Sequence, residues 1–247
     1  MLQRLVIDPA QLSAPAIALT PSQQHYLLRV LRLGQGDRFV AMNGQGQAWI
    51  AQLTQSAATD HWLAEILQPV TVATELPIAV TLIMALPKGN GFDDVVRQST
   101  ELGVSCIAPV ISDRTLLHPS AQKLERWRRI AQEAAEQSER QIVPTILDPV
   151  PFSASLESLS PGMSGYLCVT RRSSPHLLTC LSTALLQPAS AITIAIGAEG
   201  GWTEAEVDQA IAVGYQPVSL GARILRAVTA PIVALSLIAA RYEVGTQ

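Results

Sequence analysis

The sequence predicts an α/β protein in two parts: a small N-terminal β-barrel with one helix over residues 1–70, and a mostly parallel sheet with helices on both faces over residues 71–247. Three observations carry this prediction. The rhythm of the chain changes near residue 70, from short apolar segments separated by turn signals to alternating strand and helix patterns. The run 78–86 is almost wholly apolar, as in a parallel strand covered on both faces. Three later strand ends are marked by glycine, the place where open α/β sheets bind ligands. A length of 247 residues suits one to two domains. With 48% apolar and 15% charged residues the chain is not disordered, since disorder needs low hydrophobicity and high net charge.

In the first part, the segments 38–42 and 48–53 flank Asn43-Gly44-Gln45-Gly46 and read as a β-hairpin. Residues 61–67 read as a third strand and 4–7 as a fourth. Thr20-Pro21-Ser22-Gln23 is a capping box with proline at the first helical position, opening a helix that Gly34 is expected to close. Residues 69–77 form the expected linker.

In the second part the predicted elements are a strand at 78–86, a helix at 93–102 ended by Gly103, and a strand at 104–111. A long helix at 121–141 places Leu124, Trp127, Ile130, Ala131, Ala134 and Ala135 on one face. A strand at 165–169, a helix at 175–186 and a strand at 191–196 follow. Thr203-Glu204-Ala205-Glu206 is a second capping box, for a helix reaching Gly214. The last strand is 216–220, before an uncharged helix over 227–240. That stretch is shorter than the roughly 18 apolar residues a membrane span needs. The N-terminus is charged too soon for a signal peptide. Both features predict a cytoplasmic protein without membrane attachment.

Composition excludes several function classes. Cys106, Cys168 and Cys180 form no C-x-x-C pair and read as reduced, buried thiols. His25, His61, His118 and His176 lack metal-ligand spacing, so no metal is expected. The net charge of −3 argues against a uniformly basic nucleic-acid binder, yet the cations are arginine except Lys88 and Lys123. Arginine presents a planar fork to phosphate and stacks on bases.

The glycine-marked strand ends are Leu86-Pro87-Lys88-Gly89-Asn90-Gly91, Ile196-Gly197-Ala198-Glu199-Gly200-Gly201-Trp202 and Leu220-Gly221-Ala222-Arg223-Ile224-Leu225-Arg226. The second joins a buried strand to a capped helix, so a ligand can approach its backbone and the helix N-terminus closely. It equally fits a tight turn with a solvated Glu199. It is neither a dinucleotide fingerprint nor a phosphate-binding Gly-Lys-Ser/Thr loop, and no G-x-S-x-G elbow occurs in the chain. Arg223 and Arg226 either mark a helix boundary or hold an anion at a cleft mouth. Arg29 and Arg32, one helical turn apart, fit a solvated face or a phosphate contact, and Arg171-Arg172 fit either as well. Arg126, Arg128 and Arg129 read as a salt-bridged surface, and Trp127 and Trp202 as core or interface.

The strings Arg29-Val30-Leu31-Arg32-Leu33-Gly34, Lys88-Gly89, Gln98 to Val104, Glu136-Gln137-Ser138-Glu139-Arg140 with Val143-Pro144, the Gly197–Gly201 loop and Leu220 to Arg226 occur in this order. On them, the chain resembles the RsmE-type 16S rRNA (uracil-N3)-methyltransferases of the SPOUT superfamily over nearly its whole length. The resemblance implies an N-terminal PUA-like RNA-binding barrel (1–70) and a C-terminal SPOUT α/β domain (71–247) with a deep trefoil knot that binds S-adenosylmethionine and forms a homodimer. It implies 16S rRNA in the small ribosomal subunit as partner. Carried over position by position, it assigns cofactor binding to Leu86, Gly197, Glu199, Gly200, Gly201, Leu220, Gly221, Ile224 and Leu225. It assigns catalysis to Arg226, Arg4 and Arg171, and RNA contact to Arg4, Arg29, Arg32, Arg172 and Arg223.

Two positions depart from the family pattern. Ala198 stands where the family has proline, and Val228 where it has glutamate, so a carboxylate role at 228 is absent or falls to another group, with Glu199 as candidate. Two further readings follow: a SPOUT enzyme on another RNA, and a catalytically impaired RNA-binding or assembly factor.

Overall fold

The computed structural model of the chain describes residues 2–13, 16–55, 61–71, 73–116, 119–158, 162–183 and 191–244. The chain divides into two compact units, Met1–Glu75 with Ala135–Val143 and Leu76–Ala134 with Pro144–Gln247.

The first unit holds strands β1 (Arg4–Val6), β2 (Leu12–Ser13), β3 (Ala16–Ala18), β4 (Arg38–Met42), β5 (Ala48–Gln55) and β6 (Trp62–Val70) in one six-stranded sheet of order β1-β4-β5-β6-β3-β2. β1 runs parallel to β4, and the remaining neighbours are antiparallel. The predicted barrel is a half-barrel sheet: no pairing joins β1 to β2 among the described residues. The hairpin turn is held by Asn43, whose Oδ1 accepts the N–H groups of Gln45 (2.9 Å) and Gln47 (3.1 Å). Leu5, Ile7, Ile17, Leu27, Phe39 and Leu53 are buried in its core. Strands β2 and β3, two and three residues long, went unpredicted because so short a segment shows no alternation.

Helix α1 (Pro21–His25) opens on the expected capping box, Thr20 and Gln23 each satisfying the other's backbone N–H. It continues as a π-helical turn over Tyr26–Val30, with Leu31 N bonded to Tyr26 O. Gly34 does not end it. Arg32 takes the left-handed conformation at φ +58°, and Leu33 N reaches back to Leu27 O at 2.9 Å. This bond satisfies a terminal carbonyl in the manner of a Schellman closure, two residues before the glycine.

The segment 135–143 belongs to this unit and is held by carboxylates. Glu136 Oε1 accepts Val6 N–H at 2.7 Å, and Glu139 forms a two-pronged ion pair with Arg4, both contacts at 2.7 Å. Glu75 Oε2 accepts from Arg140 Nε (3.0 Å) and Nη2 (2.6 Å), while its Oε1 accepts the N–H groups of Gln141 (2.9 Å) and Ile142 (3.2 Å).

The second unit carries β7 (Ala79–Ala85), β8 (Cys106–Ile111), β9 (Thr145–Ile146), β10 (Val150–Pro151), β11 (Met163–Cys168), β12 (Ala191–Ile196) and β13 (Gln216–Val218). The order is β10-β8-β7-β12-β11-β13, with β9 also on β8, and every pairing is parallel. Its helices are α2 (Gly91–Glu101), α3 (Ala121–Gln137, of which 121–134 lie in this unit), α4 (Phe152–Ser155), α5 (Leu177–Thr183), α6 (Glu204–Ala212) and α7 (Ala230–Glu243). Residues 184–186 of the helix predicted over 175–186 lie outside the described residues.

Helix ends follow local chemistry. In α2, Asp93 and Asp94 face the positive N-terminal end, and the buried Asp93 also accepts from Arg126 Nε (2.8 Å) and Trp127 Nε1 (3.0 Å). α3 stops at Gln137 and not 141, because Glu139 is left-handed at φ +64° and Arg140 N turns back to Ala135 O. α7 begins at Ala230, three residues later than predicted. Proline lacks the N–H an inner helical turn needs, so Pro231 fixes the first turn. Thr203 and Glu206 cap α6 as predicted. The surface arginines of α3 are paired as expected, Arg128 with Glu125 and Asp148 and Arg129 with Glu133, while Arg126 takes Asp93. Among the described residues no helix is long and apolar enough to cross a membrane.

Candidate active site

The order of the second sheet places β12 beside β7, so the chain reverses its direction of growth there. Ligands in open α/β sheets bind outside the strand carboxyl ends at such a switch point. A cavity of about 580 Å³ opens at the carboxyl ends of β11, β12 and β13, walled by Cys168 to Arg172, Ile196 to Trp202 and Ser219 to Leu225. That volume is in the range of small-molecule sites, about 300–1,000 Å³.

The β12–α6 loop is tightly folded. A Cβ on Gly197 would lie 3.0 Å from Gly201 Cα and 3.3 Å from Trp202 N, so a side chain here would require the loop backbone to give by a few tenths of an ångström. Gly201 N bonds Ala198 O at 2.8 Å, and Gly201 sits at φ +66° with nothing within 4 Å of where its Cβ would be. Open space beside exposed backbone is what a close-lying ligand requires. Glu199 Oε1 accepts the backbone N–H of Lys88 at 3.1 Å, tying this loop to the one after β7. The loop after β13 is braced by Ser219 Oγ, which accepts Gly221 N–H at 3.0 Å.

Polar groups in the wall are distinct in character. Trp202 Nε1 is buried with no hydrogen-bond partner among the described residues, while its ring stacks on Phe152 at 4.2 Å. Arg171, at φ +58°, and Arg223 are exposed wall residues whose guanidinium groups have no partner among the described residues. Arg172 pairs loosely with Glu204 at 3.6 Å. Burial pushes the Cys168 thiol up to about 12, although it lines the cavity. It is a neutral thiol at physiological pH, unsuited to act as nucleophile or base. A thiol whose folded pKa lies above its ordinary value of 9.0 keeps its proton in the folded state where the unfolded chain has released it. Stability is therefore fully present below about pH 9 and lost as pH rises from there toward 12. Thermal melting between about pH 8 and 11 should show this decline, and Cys168→Ala should make it shallower, the remainder coming from Cys106, Cys180, Tyr166 and Tyr242, whose groups burial also pushes up. An identical decline in both proteins would remove Cys168 as a cause.

A family model described as an RNA methyltransferase domain matches residues 74–239, and one described as an RNA methyltransferase PUA domain matches residues 19–58. The chain is 50% identical over 98% of its length to ribosomal RNA small subunit methyltransferase E of Synechocystis sp., covering 79% of that protein. This chain belongs to the ribosomal RNA small subunit methyltransferase E family. The Bacillus subtilis protein of the same name is 31% identical, with 93% of this chain and 92% of that protein covered. The Neisseria gonorrhoeae methyltransferase E, crystallised bound to S-adenosyl methionine, superposes with a TM-score of 0.86 at 33% identity, covering 98% of each chain.

In this family member the structure gathers most of the residues singled out by sequence. Gly197, Glu199, Gly200, Gly201, Leu220, Gly221, Ile224, Leu225, Arg171, Arg172 and Arg223 all line the cavity. Leu86 does not, because it is buried with its N–H bonded to Val110 O at 3.1 Å. Arg226 lies just outside the wall with an exposed side chain, its carbonyl accepting Thr229 N–H and Ala230 N–H as α7 begins. In the first unit, Arg29 and Arg32 are exposed and their guanidinium groups have no partner among the described residues, whereas Arg4 is engaged by Glu139. Trp127 and Trp202 are core, as expected. Sequence reasoning missed Arg114, which lines the cavity and donates from Nη1 to Gly200 O and Trp202 O. Its position just past β8, at a strand carboxyl end, was the available signal.

Proposed function

We propose that this chain methylates N3 of a uridine in the 16S rRNA of the small ribosomal subunit, with S-adenosylmethionine as methyl donor. The observation that carries the reading is the cavity at the carboxyl ends of β11, β12 and β13, in a chain whose relative from Neisseria gonorrhoeae was crystallised with S-adenosyl methionine. The residues fit such a ligand: the volume suffices, the space beside Gly201 is open, and Trp202 Nε1 is a buried donor with an unmet hydrogen bond. The loops 197–201 and 220–225 would hold the cofactor. When bound, it supplies an electrophilic methyl group on a sulfonium.

The chain's own residues must then handle the uracil. N3 carries a proton at neutral pH and loses it as the new N–C bond forms, so negative charge develops on the ring. Cations placed around that charge lower the barrier, as donors do in an oxyanion hole. Arg226 and Arg171, both without a side-chain partner among the described residues, take this part, with Arg172 and Arg223 toward the phosphates. Arg4 anchors β1 through Glu139. Val228 acts by packing: a Cβ on Gly91 would lie 2.8 Å from its Cγ1.

The first unit serves as the RNA-binding PUA-like domain, Arg29 and Arg32 meeting phosphate, so RNA affinity should fall with salt. A trefoil-knotted path is supported by β12, which lies between β7 and β11 although it follows both in sequence. The uncharged stretch 227–240 supports a homodimer, and the reaction belongs to the cytoplasm, where ribosomal subunits are.

The test is methyl transfer to small subunits lacking the modification, followed by nucleoside mass spectrometry. N3-methyluridine is expected. Arg226→Ala and Arg171→Ala should slow transfer on the order of 10²-fold with cofactor affinity held. No transfer by protein that binds S-adenosylmethionine would reject the rRNA target.

A further inference from the structure

Asp113 and Arg114 follow β8, a strand that contributes no other residue to the cavity wall. Together they grip the second half of the glycine loop and the cap of α6 that follows it. Arg114 Nη1 donates to the carbonyl oxygens of Gly200 and Trp202, the latter at 3.2 Å. Asp113 Oδ2 accepts the hydroxyl of Thr203 at 3.0 Å, and Asp113 N–H donates to Glu206 Oε1 at 2.9 Å. Glu206 is itself the second half of the α6 capping box, accepting Thr203 N–H at 2.7 Å. The aliphatic stem of Arg114 also covers the loop: a Cβ on Gly200 would lie 2.9 Å from Arg114 Cδ and 3.3 Å from its Cβ.

These contacts have one geometric consequence. Four of the six residues from Gly197 to Trp202 are glycine or alanine, so apart from Glu199 and Trp202 the loop has no side chains to hold it. Carbonyls drawn toward Arg114 restrain the peptide planes that follow Gly200 and Trp202, and so set the shape the loop presents to the cavity. A charged donor makes the stronger kind of hydrogen bond, and one nitrogen bridging two carbonyls spaced across a turn fixes the turn's shape. Trp202, the loop's last residue, is stacked on Phe152 on the other side.

We propose that the Asp113–Arg114 pair is a positioning clamp that pre-forms the cofactor-binding face of the 197–202 loop from the neighbouring strand. Arg114 acts through the loop; it is not itself a group that touches the reacting atoms. The proposal rests on the reading of the cavity as the S-adenosylmethionine site.

Calorimetry with S-adenosylmethionine, and initial rates with small subunits, test it. Arg114 is exposed, so its replacement leaves folding intact. Arg114→Ala should raise the Kd and KM for S-adenosylmethionine about tenfold, with kcat at saturating cofactor within about twofold, because a pre-formed loop lowers the cost of binding. Arg114→Lys should recover part of that loss by restoring one charged donor. Gly200→Ala should weaken binding in the wild-type background and do so less in the Arg114→Ala background, where Cδ is gone. Such non-additivity is the mark of two residues in direct contact. Unchanged Kd in Arg114→Ala, or a loss of melting temperature with cofactor affinity intact, would overturn the clamp. If the unmodified protein binds no S-adenosylmethionine at all, the cavity reading fails instead, so the two failures are told apart.

Discussion

Glu75→Ala is expected to destabilise the first unit by about 3–5 kcal/mol, the cost of breaking a buried ion pair from one side. The Arg140 side chain is only 3% exposed, and Glu75 supplies its carboxylate through two bonds. The same carboxylate also serves the N–H groups of Gln141 and Ile142. Its removal therefore takes an acceptor from three donating groups at once, one of them a guanidinium held almost wholly inside. The melting temperature should fall on the order of 10 °C. Glu75→Gln keeps an acceptor for the two backbone groups and loses only the charge, so it should lie between alanine and the wild type. Chemical denaturation followed by circular dichroism measures both. Equal stability for all three proteins would mean that the segment 135–143 is held by its apolar contacts, Ala135 and Val143 against Val40, Met42 and Ala48.

Gly197→Ala is expected to have the largest effect on activity with little effect on folding. The atoms a new Cβ would meet, Gly201 Cα and C at 3.0 and 3.1 Å and Trp202 N at 3.3 Å, are all backbone. None can rotate away, so the loop itself must open. Overpacking of this kind costs about 1–3 kcal/mol. If the strain is relieved by giving up the ligand-bound shape, it appears as a roughly ten- to hundredfold loss of S-adenosylmethionine affinity. Gly201→Ala probes the ligand instead. Its Cβ meets no protein atom within 4 Å, so the fold is disturbed only through the φ of +66°, but the new methyl enters the open space the cofactor would fill. Isothermal titration measures both variants, and an affinity unchanged by Gly197→Ala would sink the steric account.

Much of the second unit was legible because parallel strands buried on both faces leave almost wholly apolar runs. The strand expected at 191–196 matches β12 residue for residue, and the capping box at Thr203 marks the start of α6. The same logic failed where a segment is too short to carry a period, as in β2, β3, β9 and β10. It also failed where an unexpected residue took a left-handed conformation: Arg32 and Glu139 end their helices before Gly34 and before residue 141, the ends expected from sequence. Such residues are read only with the carbonyl they redirect. Arg4 illustrates the limit at the site. Sequence offered it as a cation for the substrate, but Glu139, 135 positions away, holds it in a two-pronged pair. Arg114 was the reverse case, marked in sequence only by its place just past a strand and set in the cavity wall by the pairing of β8 with β7.

By itself the sequence determined the local elements and the glycine-rich strand ends, because capping, periodicity and glycine's missing Cβ act within a few residues. Which of those ends meet in one cavity was decided only by the tertiary structure. Strand order is set by packing between segments far apart in the chain, and it brings the loops after β11, β12 and β13 together with Arg114 while burying Leu86 outside the wall. The same long-range packing decides which arginines are committed to carboxylates and which remain open to a polyanion. No local pattern encodes that choice, since a guanidinium pairs with whichever carboxylate the fold carries to it.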